Sequence, residues 1–286
     1  MWRRAGLTDR LFLVYFVGLG ALILVLRDRV PGWTAWAGLH AAAVAAIVTL
    51  VNNRARQPFL HAWYPLVMPL LTFHEIARLN LLIVGAWQDH HVLAFEAAIF
   101  AQPPTVWLGR FASPLVTEVL QAGYLSYYVM LPIVGGVLYA RAEKKPFYDL
   151  MAATVLAYMT CYVVFIAFPT EGPAHTLRHL HDEPLPGGVL HALVNLVQQA
   201  GVHGNAFPSA HVAGAVVAVV FAWRHVPVLA WPSTLLVMLM AIAAVYDRYH
   251  YASDVVAGAL VAVLALVVVS AVAQWRATWP SSGHPF

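Results

Sequence analysis

The sequence predicts an all-α polytopic membrane protein, a bundle of about eight transmembrane helices. Of its 286 residues, 61% are hydrophobic and only 10% are charged, and the mean hydropathy is +0.72. These values suit a chain that lies mostly in lipid and do not suit a soluble domain. Apolar runs of about 17 to 25 residues, the length that crosses a bilayer, recur along the chain. Helices are expected because they satisfy their own backbone polar groups in lipid.

Charge and cysteine content exclude several classes of protein. The formal net charge is +3, but the basic residues are scattered between apolar runs and form no stripe that would bind nucleic acid. The single cysteine, Cys161, lies in an apolar run, which excludes an internal disulfide and a cysteine metal cluster. We therefore expect no nucleic-acid partner and interpret the basic residues as determinants of membrane topology.

Two apolar runs near the N terminus, residues 11–26 and 33–51, predict the first two spans. No convincing small-residue cleavage site follows the first run, so we expect a retained helix and not a signal peptide. A short basic turn, residues 52–57, follows the second run. These features predict a pair of transmembrane helices over residues 1–58 and a second, larger membrane domain over residues 59–286.

The third predicted span, residues 62–87, contains ionisable groups at membrane depth, namely His74, Glu75 and Arg78. Such a group costs about 2.5 to 3.5 kcal/mol on insertion scales, so it normally faces a partner or a cavity. Glu75 and Arg78 are three residues apart and can pair on one helix face. The three residues are candidates for supporting a polar site, and a purely structural pair is the alternative.

The remaining elements follow in order. Residues 88–122 are too mixed to span and predict one or two helices lying in the membrane interface. The fourth span ends near Tyr139 and the fifth covers residues 147–168. Residues 169–205 form a long loop that contains an amphipathic stretch. The last three spans are predicted at residues 207–223, 228–246 and 255–275.

Two polar segments each lie at the end of an apolar run: GNAFPSAHVAG, residues 204–214, and YDRYHYASD, residues 246–254. The chain between them allows two membrane crossings, so both segments return to the same face. Pro208 suits the first position of a helix, where its missing N–H costs nothing. The next three N–H groups would then point outward unpaired and form an anion site; they belong to Ser209, Ala210 and His211.

The second polar segment contains a histidine and a carboxylate four residues apart. On a helix or its entry turn, Asp254 can hold one imidazole nitrogen of His250 and leave the other free as a nucleophile. His211 would lie beside the phosphate site, where it could protonate a departing oxygen. A single buried histidine more often satisfies a core hydrogen bond, but the paired arrangement favours chemistry.

These residues resemble two signatures of the type 2 phosphatidic acid phosphatase superfamily. The letters PSAH, residues 208–211, are similar to its second signature, Pro-Ser-Gly-His, with Ala210 in the place of Gly. His250 and Asp254 are similar to the third, His followed by three residues and Asp. The surrounding letters, FPSAHVA and HYASDVVAG, are closer to the branch that contains inositol phosphorylceramide synthases and their bacterial relatives.

The resemblance implies a six-helix phosphatase-type catalytic core within residues 59–286, in a bacterial inner membrane. It implies that His250 is a nucleophile that forms a phosphohistidine, that Asp254 orients it, and that His211 is the acid for the leaving group. Enzymes of this superfamily are metal-independent, so we expect neither a metal nor a cofactor. No catalytic zinc spacing such as HExxH occurs in the chain.

The chain departs from the family pattern where cations usually hold the phosphate. The first signature, Lys followed by six residues and Arg-Pro, is absent, and Ala244 stands where the third signature normally has an Arg. Arg248 is one candidate replacement. Arg178 is the other, because its loop lies where the first signature should lead into the second, although an exposed loop arginine is more often only solvated. Ser209 and Ala210 are the predicted backbone contacts to the phosphate.

These patterns predict an integral membrane enzyme that moves the phosphoryl headgroup of a lipid to an alcohol or lipid acceptor. A lipid phosphatase that uses water is the alternative, and a transporter is less favoured because no internal repeat occurs. Lys and Arg concentrate on the side that holds the N terminus, so we expect cytoplasmic termini and an active site outside the cytoplasm. The sequence does not indicate an oligomeric state.

Overall fold

The computed structural model describes residues 4–181, 183–199 and 203–278, with only the backbone of the last three. All regular structure in these ranges is helical, so the all-α prediction is confirmed. Besides two 3-10 turns, the α-helices are α1 (Leu7–Val25), α2 (Trp33–Asn52), α3 (Pro58–Leu79), α4 (Asp89–Ile99), α5 (Pro104–Gly109), α6 (Pro114–Ala140), α7 (Lys144–Ala167), α8 (Pro173–Thr176), α9 (Val189–Gln199), α10 (Ala210–His225), α11 (Pro227–Tyr246) and α12 (Ala252–Thr278).

Six of the described helices are long and apolar enough to cross a membrane: α1, α2, α6, α7, α11 and α12. The chain is therefore a polytopic helical membrane protein. The other two predicted spans correspond to α3 and α10. Helix α3 has two interior prolines and several ionisable groups, which lower its hydropathy. Helix α10 has 16 residues, so it is about 24 Å long, shorter than a hydrocarbon core of about 30 Å.

Two predicted boundaries are corrected by the structure. Helix α3 ends at Leu79, so the third span is shorter than the predicted range 62–87. Residues 114–122, predicted to lie in the interface, form the first turns of α6. Pro114 occupies the first turn of this helix, and the Ser113 hydroxyl caps it by accepting a hydrogen bond from the N–H of Val116 at 3.3 Å.

The core of the bundle surrounds α10, which contacts α6, α7, α11 and α12. Small residues permit this close packing. A Cβ atom at Gly214 would lie 2.4 Å from the Tyr158 hydroxyl, and one at Gly258 would lie 2.3 Å from the Ser209 carbonyl oxygen. The start of α10 is therefore held tightly against α12. The N-terminal helix α1 packs on α2 and α7, and the division at residue 58 stays a prediction.

Two of the non-spanning helices are fixed to the bundle by buried or well-bonded carboxylates. Glu96 of α4 is buried and accepts hydrogen bonds from both the N–H and the hydroxyl of Ser253, at 2.8 and 3.0 Å. Glu118 of α6 accepts hydrogen bonds from N–H groups at the start of α9, those of Gly188, Leu190 and His191. Each carboxylate satisfies free N–H groups at a helix start, which favours this placement of α4 and α9.

Candidate active site

His250 lies in the turn between α11 and α12 and is 5% exposed. Its Nδ1 atom is 2.8 Å from the carbonyl oxygen of Ala206 and 3.4 Å from Oδ2 of Asp254. A carbonyl oxygen only accepts, so Nδ1 carries the proton and Nε2 keeps its lone pair. Burial lowers the pKa of His250 to about 4, although the hydrogen bond to Ala206 opposes this shift. His250 is therefore neutral near pH 7, with one nitrogen available for attack.

Asp254 is fully buried at the start of α12. Its Oδ2 atom accepts a hydrogen bond from the N–H of Tyr251 at 2.8 Å, and its Oδ1 atom has no hydrogen-bond partner among the described residues. The carboxylate thus lies beside His250, as the four-residue spacing predicts. The closer partner of the imidazole is nevertheless the Ala206 carbonyl, a backbone group that no residue-type pattern could identify.

The start of α10 differs from the prediction by two residues. The helix begins at Ala210, and Ser209 is its N-cap, with the hydroxyl accepting a hydrogen bond from the N–H of Val212 at 3.4 Å. Pro208 therefore precedes the cap and is not the first helical residue. The predicted position was wrong because the serine hydroxyl competes successfully for the helix start, a common role of serine.

The predicted anion site is consequently smaller. The N–H of Ser209 donates to the carbonyl oxygen of Asp254 at 3.0 Å and is not available to a phosphate. Ser209 is also fully buried, so its expected direct contact with phosphate is not supported by the structure. The N–H groups of Ala210 and His211, in the first turn of α10, have no partner among the described residues. The structure therefore leaves two N–H groups of the predicted three.

His211 and His250 meet in one cavity of about 490 Å³, with their ring centroids 6.0 Å apart. The cavity wall is rich in tyrosine. The His211 ring lies 4.7 Å from that of Tyr127 and 5.6 Å from that of Tyr124, both on α6. Tyr249, beside the nucleophile, also lines the cavity. The two histidines predicted from separate segments are thus brought together in an aromatic pocket.

The loop after α7 is attached to the site by Asp89, the first residue of α4. Its carboxylate accepts hydrogen bonds from the N–H groups of Glu171 and Gly172, each at 2.8 Å, and from the Tyr251 hydroxyl at 2.9 Å. Gly172 has φ +98°, and a Cβ there would lie 3.2 Å from the carbonyl oxygen of Tyr249. Glycine is therefore required where this loop passes the histidine turn.

Neither arginine predicted to hold phosphate lines the cavity. Arg248 adopts a left-handed conformation with φ +66°, and its guanidinium donates to the carbonyl oxygen of Glu183 at 3.1 Å. Arg178 lies exposed in a 3-10 turn. The structure therefore does not bring these two side chains to the cavity that holds the two histidines.

The three ionisable residues of α3 have separate surroundings. His74 lines the cavity and is the one that reaches the site. Glu75 is buried and lies 2.5 Å from Nε2 of His40 on α2, so the predicted pair with Arg78 does not form. Arg78 instead lies 5.9 Å from the centre of the Trp36 ring. The prediction failed because both side chains face α2, whose polar and aromatic residues offer alternative partners.

Asn205 is a candidate phosphate-binding residue that the sequence patterns did not identify. It lines the cavity, is 5% exposed and has φ +66°, a left-handed conformation in which asparagine is enriched. Its Oδ1 atom accepts a hydrogen bond from Asn80 at 3.4 Å, while its Nδ2 atom is buried without a partner among the described residues. A buried donor left unpaired in a cavity is suited to an anionic oxygen. The feature of the sequence that could have identified Asn205 is its position directly after Gly204.

Comparison with known proteins agrees with this arrangement. A family model of the PAP2 superfamily matches residues 90–268, more than half of the chain and both polar segments. The chain therefore belongs to the PAP2 superfamily. The predicted superfamily is confirmed, and membership in the branch that contains inositol phosphorylceramide synthases stays a prediction.

Two known proteins are similar to this chain. A PA-phosphatase related-family protein of Dictyostelium discoideum is 26% identical over 197 residues, which are 60% of this chain and 35% of that protein. The chain thus spans about a third of the length of this curated relative. The crystal structure of Aquifex aeolicus LpxE matches with a TM-score of 0.45 and 18% identity, over 58% of this chain and 92% of that one.

Proposed function

We propose that this protein cleaves the phosphate ester of a membrane lipid through a phosphohistidine formed on His250. The observation that carries the proposal is the hydrogen bond from Nδ1 to the Ala206 carbonyl, which leaves Nε2 unprotonated in a cavity shared with His211. An imidazole in this state is a nucleophile without prior loss of a proton. Membership in the PAP2 superfamily and the name of the Dictyostelium relative support a lipid phosphatase-type reaction.

The first half-reaction transfers the phosphoryl group to the protein. The Nε2 lone pair of His250 forms a bond to phosphorus while the bond from phosphorus to the leaving oxygen breaks. His211, protonated beside the bound phosphate anion, donates its proton to that oxygen and becomes neutral, so the first product leaves as a neutral hydroxyl compound. The N–H groups of Ala210 and His211, with the Nδ2 atom of Asn205, are the donors available to the phosphoryl oxygens.

The second half-reaction releases the phosphoryl group to an acceptor. An incoming hydroxyl gives its proton to His211, its oxygen bonds to phosphorus, and the bond between phosphorus and Nε2 of His250 breaks. Water as acceptor makes the protein a phosphatase, and an alcohol makes it a phosphotransferase. We propose transfer to an alcohol. The likeness of the two signature segments to the inositol phosphorylceramide synthase branch supports this, as does a cavity wall rich in tyrosine.

Covering of the cavity also favours an acceptor other than water. Helix α9 contributes Val197 and Gln198 to the cavity, and the Gln198 amide donates to the Tyr124 hydroxyl at 2.7 Å. The same helix also exposes Val189 and Leu196, as expected for a helix lying at a bilayer surface. Such a cover limits the entry of water and offers a second lipid or alcohol a path from the membrane.

The phosphohistidine is tested by trapping. Protein incubated with a ³²P-labelled lipid phosphate and quenched in alkali should retain label that is released by acid, as a phosphohistidine does. The His250→Ala variant should retain none. His90→Ala removes an exposed histidine of α4 and serves as the control, with unchanged labelling expected. Equal labelling of the His250→Ala variant would contradict the proposed nucleophile.

The acceptor is tested by a partition ratio. Donor lipid is supplied with rising concentrations of inositol, glycerol or a long-chain amino alcohol, and free phosphate is measured against the transfer product. We expect slow hydrolysis that one of these alcohols suppresses as the transfer product accumulates. Fast hydrolysis that no alcohol diverts would leave the phosphatase as the correct function and exclude the transferase.

A further inference from the structure

Three side chains of metal-ligating type meet at the cavity that holds His211 and His250. They are Glu171, His175 and His203, and their ligand atoms all lie within 4.8 Å of one another. Glu171 Oε1 is 2.6 Å from His203 Nε2, and the rings of His175 and His203 have centroids 4.2 Å apart. We propose that these three residues form a binding site for a divalent transition metal such as Zn²⁺.

The donor set and its dimensions fit such an ion. Zn²⁺ bound tetrahedrally at about 2.0 to 2.2 Å places its ligand atoms about 3.4 Å apart. This spacing exceeds the 2.6 Å between Glu171 and His203 and lies within the 4.8 Å that encloses all three ligand atoms. One carboxylate with two imidazoles leaves a coordination position open, as in catalytic zinc sites. The side chains of His203 and Glu171 are 48% and 25% exposed, so small rotations can adjust their separation.

The backbone that carries these ligands is held by separate hydrogen bonds. The Glu171 N–H donates to Asp89, and the Thr176 hydroxyl, next to His175, bonds the Tyr251 hydroxyl at 2.5 Å. The carbonyl oxygen of His203 accepts a hydrogen bond from Asn80 at 3.3 Å. The ligands therefore project from fixed turns on two different loops, which is the arrangement of a preorganised site.

The position of His203 is fixed further by its neighbours. Its ring lies 5.5 Å from that of Trp87. The next residue, Gly204, has φ +84°, and a Cβ there would lie 2.6 Å from the Asn80 amide and 2.7 Å from the Trp87 ring. Only glycine fits this turn without displacement of its neighbours. The loop therefore directs His203 toward Glu171 and His175.

A metal ion here would supply the positive charge for the phosphate that the missing first signature provides in the family. This role rests on the proposed function. Arg178 and Arg248 do not line the cavity, so the phosphate lacks a cation from these residues. A divalent ion held by one carboxylate has a net charge of about +1 and an open position for a phosphoryl or headgroup oxygen. This inference departs from the metal-independent chemistry that the resemblance to the family implies.

Binding is tested on the purified protein after chelation and dialysis, by calorimetric titration with Zn²⁺ and by the visible absorption of bound Co²⁺. We expect one tight site per chain. Glu171→Gln and His175→Ala should each weaken binding by about tenfold or more, since even outer-shell changes cost about 10- to 100-fold. Glu171→Gln can keep the contact with His203, so its folding should be preserved.

The chain offers a matched control and a way to separate this proposal from the proposed reaction. His90 and His91 form another surface pair, with ring centroids 4.0 Å apart, so His90→Ala should leave Zn²⁺ affinity unchanged. His250→Ala should abolish turnover and still bind the ion. Equal loss of affinity in the His90→Ala and His175→Ala variants, or the same Zn²⁺ affinity in the Glu171→Gln variant as in the unaltered protein, would overturn the site. Binding without any effect of Zn²⁺ on the KM for lipid would overturn its proposed role.

Discussion

The tautomer of His250 is set mainly by a backbone carbonyl, and this changes what a substitution at Asp254 should do. Where a carboxylate alone fixes the tautomer of a catalytic histidine, replacing it by the amide lowers kcat about 10⁴-fold. Here Nδ1 is 2.8 Å from the Ala206 oxygen and 3.4 Å from the carboxylate. We therefore expect Asp254→Asn to lower kcat by only about 10- to 100-fold. A loss of kcat near 10⁴-fold would show that the Asp254 carboxylate fixes the tautomer of His250.

The pH dependence of attack should follow the lowered pKa of His250. Burial lowers this pKa to about 4, so the imidazole stays neutral as pH falls until about 4. For a phosphodiester with an activated leaving group, which needs no proton from His211 and whose own charge is constant over this range, kcat/KM should fall only near pH 4 and not near the usual histidine value of about 6.5. Because the unfolded chain binds this proton more readily, the free energy of unfolding should decrease from about pH 6.5 to about 4.

Substitution of Asn205 tests whether its unpaired amide donor binds the phosphoryl group. Asn205→Gly removes the amide and still permits the left-handed backbone, so loss of activity would not arise from strain. We expect kcat to fall by about 10²- to 10³-fold, the usual effect of removing one oxyanion donor. Asn53→Gly, at the half-buried C-cap of α2, is the control. Unchanged kcat in the Asn205→Gly variant would limit Asn205 to a structural role.

The sequence located the residues whose chemistry is in their side chains. His211, His250 and Asp254 follow from residue type and spacing, and the structure brings them together. Asn205 and Ala206 could not be found in the same way, because one matters through an unpaired atom and the other through its backbone carbonyl. Both properties arise only when the loop after α7 and the start of α10 pack against the histidine turn.

At the level of helices, apolar runs predicted the elements and local polar groups decided their ends. The start of α10 moved because Ser209 caps it, and α6 is longer than predicted because Ser113 and Pro114 begin it early. Neither change alters the hydrophobic pattern, so hydropathy alone could not detect it. A helix boundary that is wrong by a few residues hardly changes the predicted fold. It does change the predicted site, because it alters which N–H groups are free.

The contact of α12 with the start of α10 should be sensitive to one methyl group. A Cβ at Gly258 would lie 2.3 Å from the Ser209 carbonyl oxygen, so Gly258→Ala must displace one of the helices. We expect a loss of about 1 to 3 kcal/mol in unfolding free energy, with reduced turnover, because the same contact positions His211. Gly136→Ala on α6 meets nothing within 4 Å and should be neutral or stabilising. Thermal unfolding in detergent compares the two, and equal melting temperatures would contradict this packing.

For the whole molecule, orientation in the membrane decides which leaflet supplies the lipid in the proposed reaction. The Lys and Arg residues concentrate in the segments on the side of the N terminus, which the positive-inside rule assigns to the cytoplasm. The long loop after α7 and the turn after α11 contribute to one cavity, so they share a side of the membrane. We therefore expect the active site outside the cytoplasm.

Single cysteines test this orientation in a Cys161→Ala background, which removes the one native thiol. His179→Cys places a thiol on the exposed loop after α7, and Ala142→Cys places one on the exposed turn between α6 and α7. A charged maleimide added to intact cells should label the first variant and spare the second, because the reagent does not cross a lipid bilayer. After the cells are opened, both variants should react, which shows that each thiol is accessible. Labelling of only the Ala142→Cys variant in intact cells would reverse the orientation and place lipid cleavage on the cytoplasmic leaflet.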